Sequence, residues 1–176
     1  MKLKEMINKY LFPKHDDPKP RDTISIYTFH VAGITYHDDE LQRIIKGLRS
    51  ECMLEKYQAL TNAQIKEYGA NMSIYEGQYI KGAKLEPYVH KNKDAIKVIL
   101  PDYKGNWYEV GSVPKDHLED VIALLEEPDK IKNIEFEIVG GDVKGVDYDD
   151  NNKPFINEFS CRFGIAIYIY YEDTDE

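Results

Sequence analysis

The sequence predicts an α+β fold dominated by antiparallel strands, and three observations predict it. β-branched and aromatic residues gather in short runs, among them Ile24 to Val31, Ala95 to Leu100 and Phe163 to Tyr171. Clusters of Gly, Pro, Asp and Asn separate those runs. Helical periodicity is confined to a few short stretches, so helices decorate the strands rather than alternate with them.

Composition bounds the rest. The chain has 176 residues, 42% of them hydrophobic and 12% aromatic, enough to fill the core of one domain or of one domain with an appendage. That content argues against a disordered chain, and two cysteines argue against a disulfide scaffold. A net charge of −9 disfavours a uniformly basic surface that coats DNA, while leaving room for local basic patches. Cys52 and Cys161 lie far apart with no Cys-x-x-Cys spacing, and the reading is of buried, reduced thiols in a cytoplasmic protein. No apolar run reaches the length a bilayer span needs.

In chain order, Leu3, Met6, Ile7, Tyr10 and Leu11 recur at helical spacing, and Pro13 to Asp22 holds three prolines and nothing apolar. Residues 1–23 therefore read as an amphipathic arm, docking on its own body, and a linker. Ile24 to Val31 suits a strand buried on both faces. Asp38 and Asp39 precede Leu41, Ile44, Ile45 and Leu48, the stripe of a helix with acids at its positive end. Thr61, Gln64 and Gly69 mark a second, capped helix. Gly77 and Gly82 interrupt the run from Ser73 to Leu85, as bulges or close backbone approaches do. Tyr88 to Asp94 reads as a polar loop, Ala95 to Leu100 and Trp107 to Val113 as a hairpin, and Pro114 to Pro128 as a helix with Leu118, Val121, Ile122, Leu124 and Leu125 on its core face. The remainder, 128–176, reads as a β-meander with a Gly140-Gly141 hairpin turn, and its last run, apolar on both faces, as a central strand.

Several of these pieces occur together in one family. Val31-Ala-Gly33-Ile-Thr-Tyr36, Leu85-Glu86-Pro87, Asn92-Lys-Asp94-Ala-Ile-Lys-Val98 and Val110-Gly-Ser-Val-Pro114 resemble, in this order, the HIRAN domain, over roughly residues 26–127. That domain occurs in front of helicase-like DNA-remodelling proteins and alone in bacteria and phages. The resemblance implies a compact barrel related to OB-folds that holds single-stranded DNA at a free 3′ end. It implies a HIRAN-like domain over 24–127 with a helical insertion at 37–72, extended by the β segment 128–176. DNA-binding members carry an Arg-Tyr pair at the end of the first strand and a Tyr-Asp pair in the loop, where this chain has Thr35-Tyr36 and Lys91-Asn92. A polar contact that is histidine in some members falls on Ser112.

Single-stranded nucleic acid needs aromatic faces for bases and cations for phosphates, and the stretch from Tyr79 to Tyr108 interleaves tyrosines and Trp107 with six lysines between 81 and 104. The alternative for such a run is a solvated face, with Trp107 in the core. The expected nucleic-acid contacts are Tyr36, Lys84, Tyr88, Lys91, Asn92, Lys93 and Ser112, with Tyr36 stacking a base and the insertion forming a cap beside the pocket. Asp147, Asp149 and Asn151 alternate as in a calcium loop, with Glu158 twelfth, but Asn152 replaces the sixth-position glycine and a hairpin loop is the expectation. No nucleophile elbow, phosphate loop, dinucleotide motif or zinc spacing occurs. The expectation is a non-enzymatic module without cofactor, metal or membrane contact. Its partner is single-stranded DNA or a DNA 3′ end, or else another protein bound by a barrel that has lost its DNA pocket.

Overall fold

The structure is a computed structural model in which residues 23–173 are described. The expected arm and linker before residue 23 lie outside them. Ten strands form three antiparallel sheets. The first is β1 (Thr23–His30), β10 (Gly164–Asp173), β7 (Ile131–Val139) and β3 (Tyr79–Lys81), in that order. The second is β2 (Met72–Ser73), β8 (Asp142–Tyr148) and β9 (Pro154–Ser160), and the third β4 (Lys84–His90), β5 (Lys93–Pro101) and β6 (Trp107–Ser112). Helices α1 (Asp38–Ser50), α2 (Asn62–Tyr68) and α3 (Leu118–Glu126) pack around them. The fold is therefore α+β and mostly antiparallel, as the alternating runs predict.

Local signals act as expected where they involve neighbours in sequence. The α1 stripe Leu41, Ile44, Ile45 and Leu48 is buried. Thr61 and Gln64 close a reciprocal capping box on α2, and Gly69 ends it in the left-handed region. Ile96 and Val98 of β5 point into the core while Lys97 does not. The last run is a central strand, since β10 lies between β1 and β7.

Four expectations fail for tertiary reasons. Among the described residues β1 is an edge strand that pairs only with β10, and Ile24 and Ile26 on its outer face stay about half exposed instead of buried. Gly140-Gly141 is not a hairpin turn, because β7 pairs with β10 and β8 with β9. Residues 131–171 are one long ribbon folded back at its middle rather than a meander. At the fold both glycines have positive φ, and a Cβ on Gly140 would overlap the Arg162 carbonyl oxygen while one on Gly141 would overlap the Phe163 ring. Two glycines let the second leg of the ribbon lie against the corner. Tyr88 to Asp94 is not an open loop, because a two-residue turn at Lys91 and Asn92 continues the β4–β5 ladder through His90 and Lys93. Both cysteines are exposed, since Cys52 sits just past α1 and Cys161 just past β9.

One core cluster runs from Phe29 to Ile169 and draws on the expected domain, its insertion and the 128–176 extension, including Val98, Ile44, Phe136 and Ile167. Residue 127 therefore marks no division of the core. Glu137 is the one buried charged residue among those described. Its carboxylate accepts from the Gly77 amide at 2.7 Å and the Tyr168 hydroxyl at 2.6 Å, tying the turn before β3 to the first sheet. Burial, reinforced by Glu137, pushes the Tyr168 phenol well up.

Candidate nucleic-acid interface

The third sheet carries the candidate residues, and strand alternation decides which way each one faces. Leu85, Ile96 and Val98 turn inward, so Lys84 and Tyr88 on β4, Lys97 on β5 and Ser112 on β6 share the outward face. Trp107 joins them at the far end. It is not in the core: 42% of it is exposed, with the Lys84 Nζ 3.6 Å from the ring centroid. Lys97 Nζ lies 5.0 Å from the centroid of the Tyr88 ring and donates to Glu109 Oε2 at 2.7 Å. That hydrogen bond holds the Lys97 ammonium above its usual pKa, so it stays charged. His37 Nε2 stands 3.9 Å from the other Glu109 oxygen.

A cleft of about 860 Å³ opens at the other end of the sheet. It exists because β6 leaves β5 early: Val113 still donates to the Ile96 carbonyl, and beyond that point residues 93–95 have no strand partner on that side. The chain turns away at Pro114 into α3, and the protruding β4–β5 tip faces the start of that helix. At the tip Lys91 and Asn92 both have positive φ, 49° and 61°, the pair that a two-residue turn matching the strand twist requires. Lys91, Lys93 and Lys115 bring positive charge to the cleft, Asp94 and Glu119 oppose it, and Leu118 and Ile122 of α3 form an apolar wall.

Five of the seven expected contacts, Tyr88, Lys91, Asn92, Lys93 and Ser112, line this cleft. Lys84 lies apart on Trp107, at the far end of the outward face. Tyr36 sits on a 3-10 turn (Ile34–Tyr36) beyond the edge of β6, 88% exposed and outside the cleft. Ser112 holds that region through a pair of 2.9 Å backbone hydrogen bonds with Ala32. The insertion does not cap the cleft, since no residue of 37–72 lines it. Helix α1 instead lies beyond β6, with Arg43 5.5 Å from the Tyr108 ring centroid, and α2 packs on the second sheet. Lys115 and Glu119 join the site without having been singled out by sequence. Their only signal is proximity to Pro114, which turns the chain back toward the tip. The Asp149 loop is a hairpin turn whose carboxylate accepts from the Asn151 and Lys153 amides at 2.9 and 2.8 Å.

No family model, curated protein or solved structure matches the chain. No helix among the described residues is long and apolar enough to cross a membrane.

Proposed function

We propose that this protein is a non-enzymatic nucleic-acid-binding module that holds single-stranded DNA, with the 3′ end favoured, in the cleft between the β4–β5 tip and α3. The observation that carries the reading is the meeting there of Tyr88, Lys91, Asn92, Lys93 and Ser112. They supply one stacking face, two phosphate-binding cations and two polar groups. The resemblance to HIRAN domains supports it. β1, β10, β7 and β3 lie side by side, β3 leads round Gly82 into β4, and the Ala32–Ser112 bridge brings β6 back to the end of β1, but the three sheets form no closed barrel among the described residues. In the cleft the tyrosine stacks a base, the lysines neutralise phosphates, and Asn92 and Ser112 bond to sugar or base.

Fluorescence anisotropy with single-stranded oligonucleotides, free or blocked at the 3′ end, at two salt concentrations tests this. Binding that weakens with salt and on blocking is expected. No anisotropy change at low salt would leave the second reading, a protein-interaction module, in its place. A specific observation favours that alternative: an apolar groove of about 440 Å³ adjoins the cleft between Pro87, Val89 and Ile122, in a chain of net charge −9.

A further inference from the structure

β9 is a seven-residue edge strand with no strand paired on its outer side among the described residues. Among the other edges, β4 carries Lys84, Glu86 and a mid-strand Pro87, β2 and β3 are only two and three residues long, and Ala32 bridges to Ser112 on β6. β9 (Pro154-Phe-Ile-Asn-Glu-Phe-Ser160) holds one charge, Glu158, and its proline stands at the first position, where it blocks nothing further along. Phe155 and Phe159, on one face, are 44% and 45% exposed. Chains that carry such an edge use it for pairing or suffer aggregation.

The hydrogen-bond phase of β9 fixes what can pair there. Cys161 donates to Gly141 at 2.8 Å and Asp149 to Lys153 at 3.1 Å, so the odd-numbered residues of β9 bond to β8. Ile156, Glu158 and Ser160 therefore present their amides and carbonyls outward. An antiparallel copy of the strand, with its two-fold axis at Asn157, sets Ile156 opposite Glu158 of the second copy as a hydrogen-bonded pair. The same register sets Phe155 opposite Phe159 of the second copy as a non-hydrogen-bonded pair, where side chains approach most closely. One register thus satisfies the free backbone groups and joins four phenylalanines across the seam.

We infer that a second copy of this chain occupies the β9 edge, joining two three-stranded sheets into one six-stranded sheet across a two-fold axis at Asn157. The inference is independent of the nucleic-acid reading, since β9 belongs to a different sheet from the cleft. A foreign strand on the same edge is the competing occupant, and the test separates the two. Light scattering after size exclusion should give twice the 20.5 kDa chain mass at micromolar concentration. Glu158→Pro removes an outward amide and no bond to β8, and should give a monomer that still unfolds cooperatively and keeps the circular-dichroism spectrum of the native chain. Phe155→Lys/Phe159→Lys and Phe155→Glu/Phe159→Glu should each be monomeric, and their mixture should restore the dimer. With Cys52 and Cys161 replaced by serine, Asn157→Cys should cross-link to itself under mild oxidation, because non-hydrogen-bonded partners lie about 4.5 Å apart, within disulfide reach. Asn151→Cys at the loop tip should not. A monomeric native chain, or a dimer that survives Glu158→Pro and stays unlinked in the Asn157→Cys variant, would overturn the inference.

Discussion

Tyr88 is the residue on which the nucleic-acid reading turns, because it is the one tyrosine lining the cleft and has Lys97 beside its ring. Tyr88→Ala should weaken single-stranded DNA binding by roughly tenfold or more, stacking on one aromatic being worth about 1–3 kcal/mol. Lys93→Gln should instead flatten the salt dependence, by about 0.7 in the log–log slope for each phosphate that is no longer neutralised. Anisotropy titrations over a salt series read both effects. Equal slopes for Lys93→Gln and the native chain would show that this lysine does not meet phosphate. The core has its own test at Ile96, 1% exposed, where truncation to alanine should cost about 2–5 kcal/mol in urea unfolding. That inward position was legible in the sequence, since alternation alone assigns Ile96 and Val98 to one face and Lys97 to the other. The exclusion of Tyr36 from the cleft was not, because it depends on how the 3-10 turn leaves the end of β1.

At the scale of elements, β1 is tied to α3 through one phenol. The Tyr27 hydroxyl donates to Asp120 at 2.9 Å and lies 2.8 Å from His117 Nδ1. Burial, then the hydrogen bond and charge of Asp120, push its pKa from the ordinary 10.0 up to about 12. A raised value means that the folded state favours the protonated phenol. Its contribution to stability is fully present below pH 10 and is lost as pH rises through about 12. Tyr27→Phe should therefore lower stability at neutral pH and flatten the alkaline fall. Denaturant midpoints between pH 8 and 12 check this, and an unaltered alkaline slope would show that Tyr27 is not the group responsible. The same scale shows why Gly140-Gly141 misleads. A glycine pair between two strand-like runs marks a hairpin when the runs pair, but here each run pairs elsewhere, and the glycines serve the close packing of Arg162 and Phe163.

For the whole molecule, the last fifty residues are structural partners of the first strand rather than an addition to a finished domain. Among the described residues β10 supplies the one ladder that β1 has, and β7 supplies that of β3. A chain ending at residue 127 loses Phe136, Ile138, Ile165, Ile167 and Ile169 from the core. It should show no cooperative thermal transition by circular dichroism, whereas a sharp transition would make 24–127 an autonomous unit. The sequence by itself determined the α+β class, the three described helices with the buried stripe of α1 and the capping box of α2, and the central place of the final strand. Those depend on periodicity and on contacts within a few residues, which any stretch of chain carries with it. Only the tertiary structure decided that β1 is an edge, that β7 and β8 belong to different sheets, and that α3 rather than the insertion walls the cleft. Each of these depends on which distant strand completes a ladder, and the pairing energy of two strands is nearly blind to the chain that connects them.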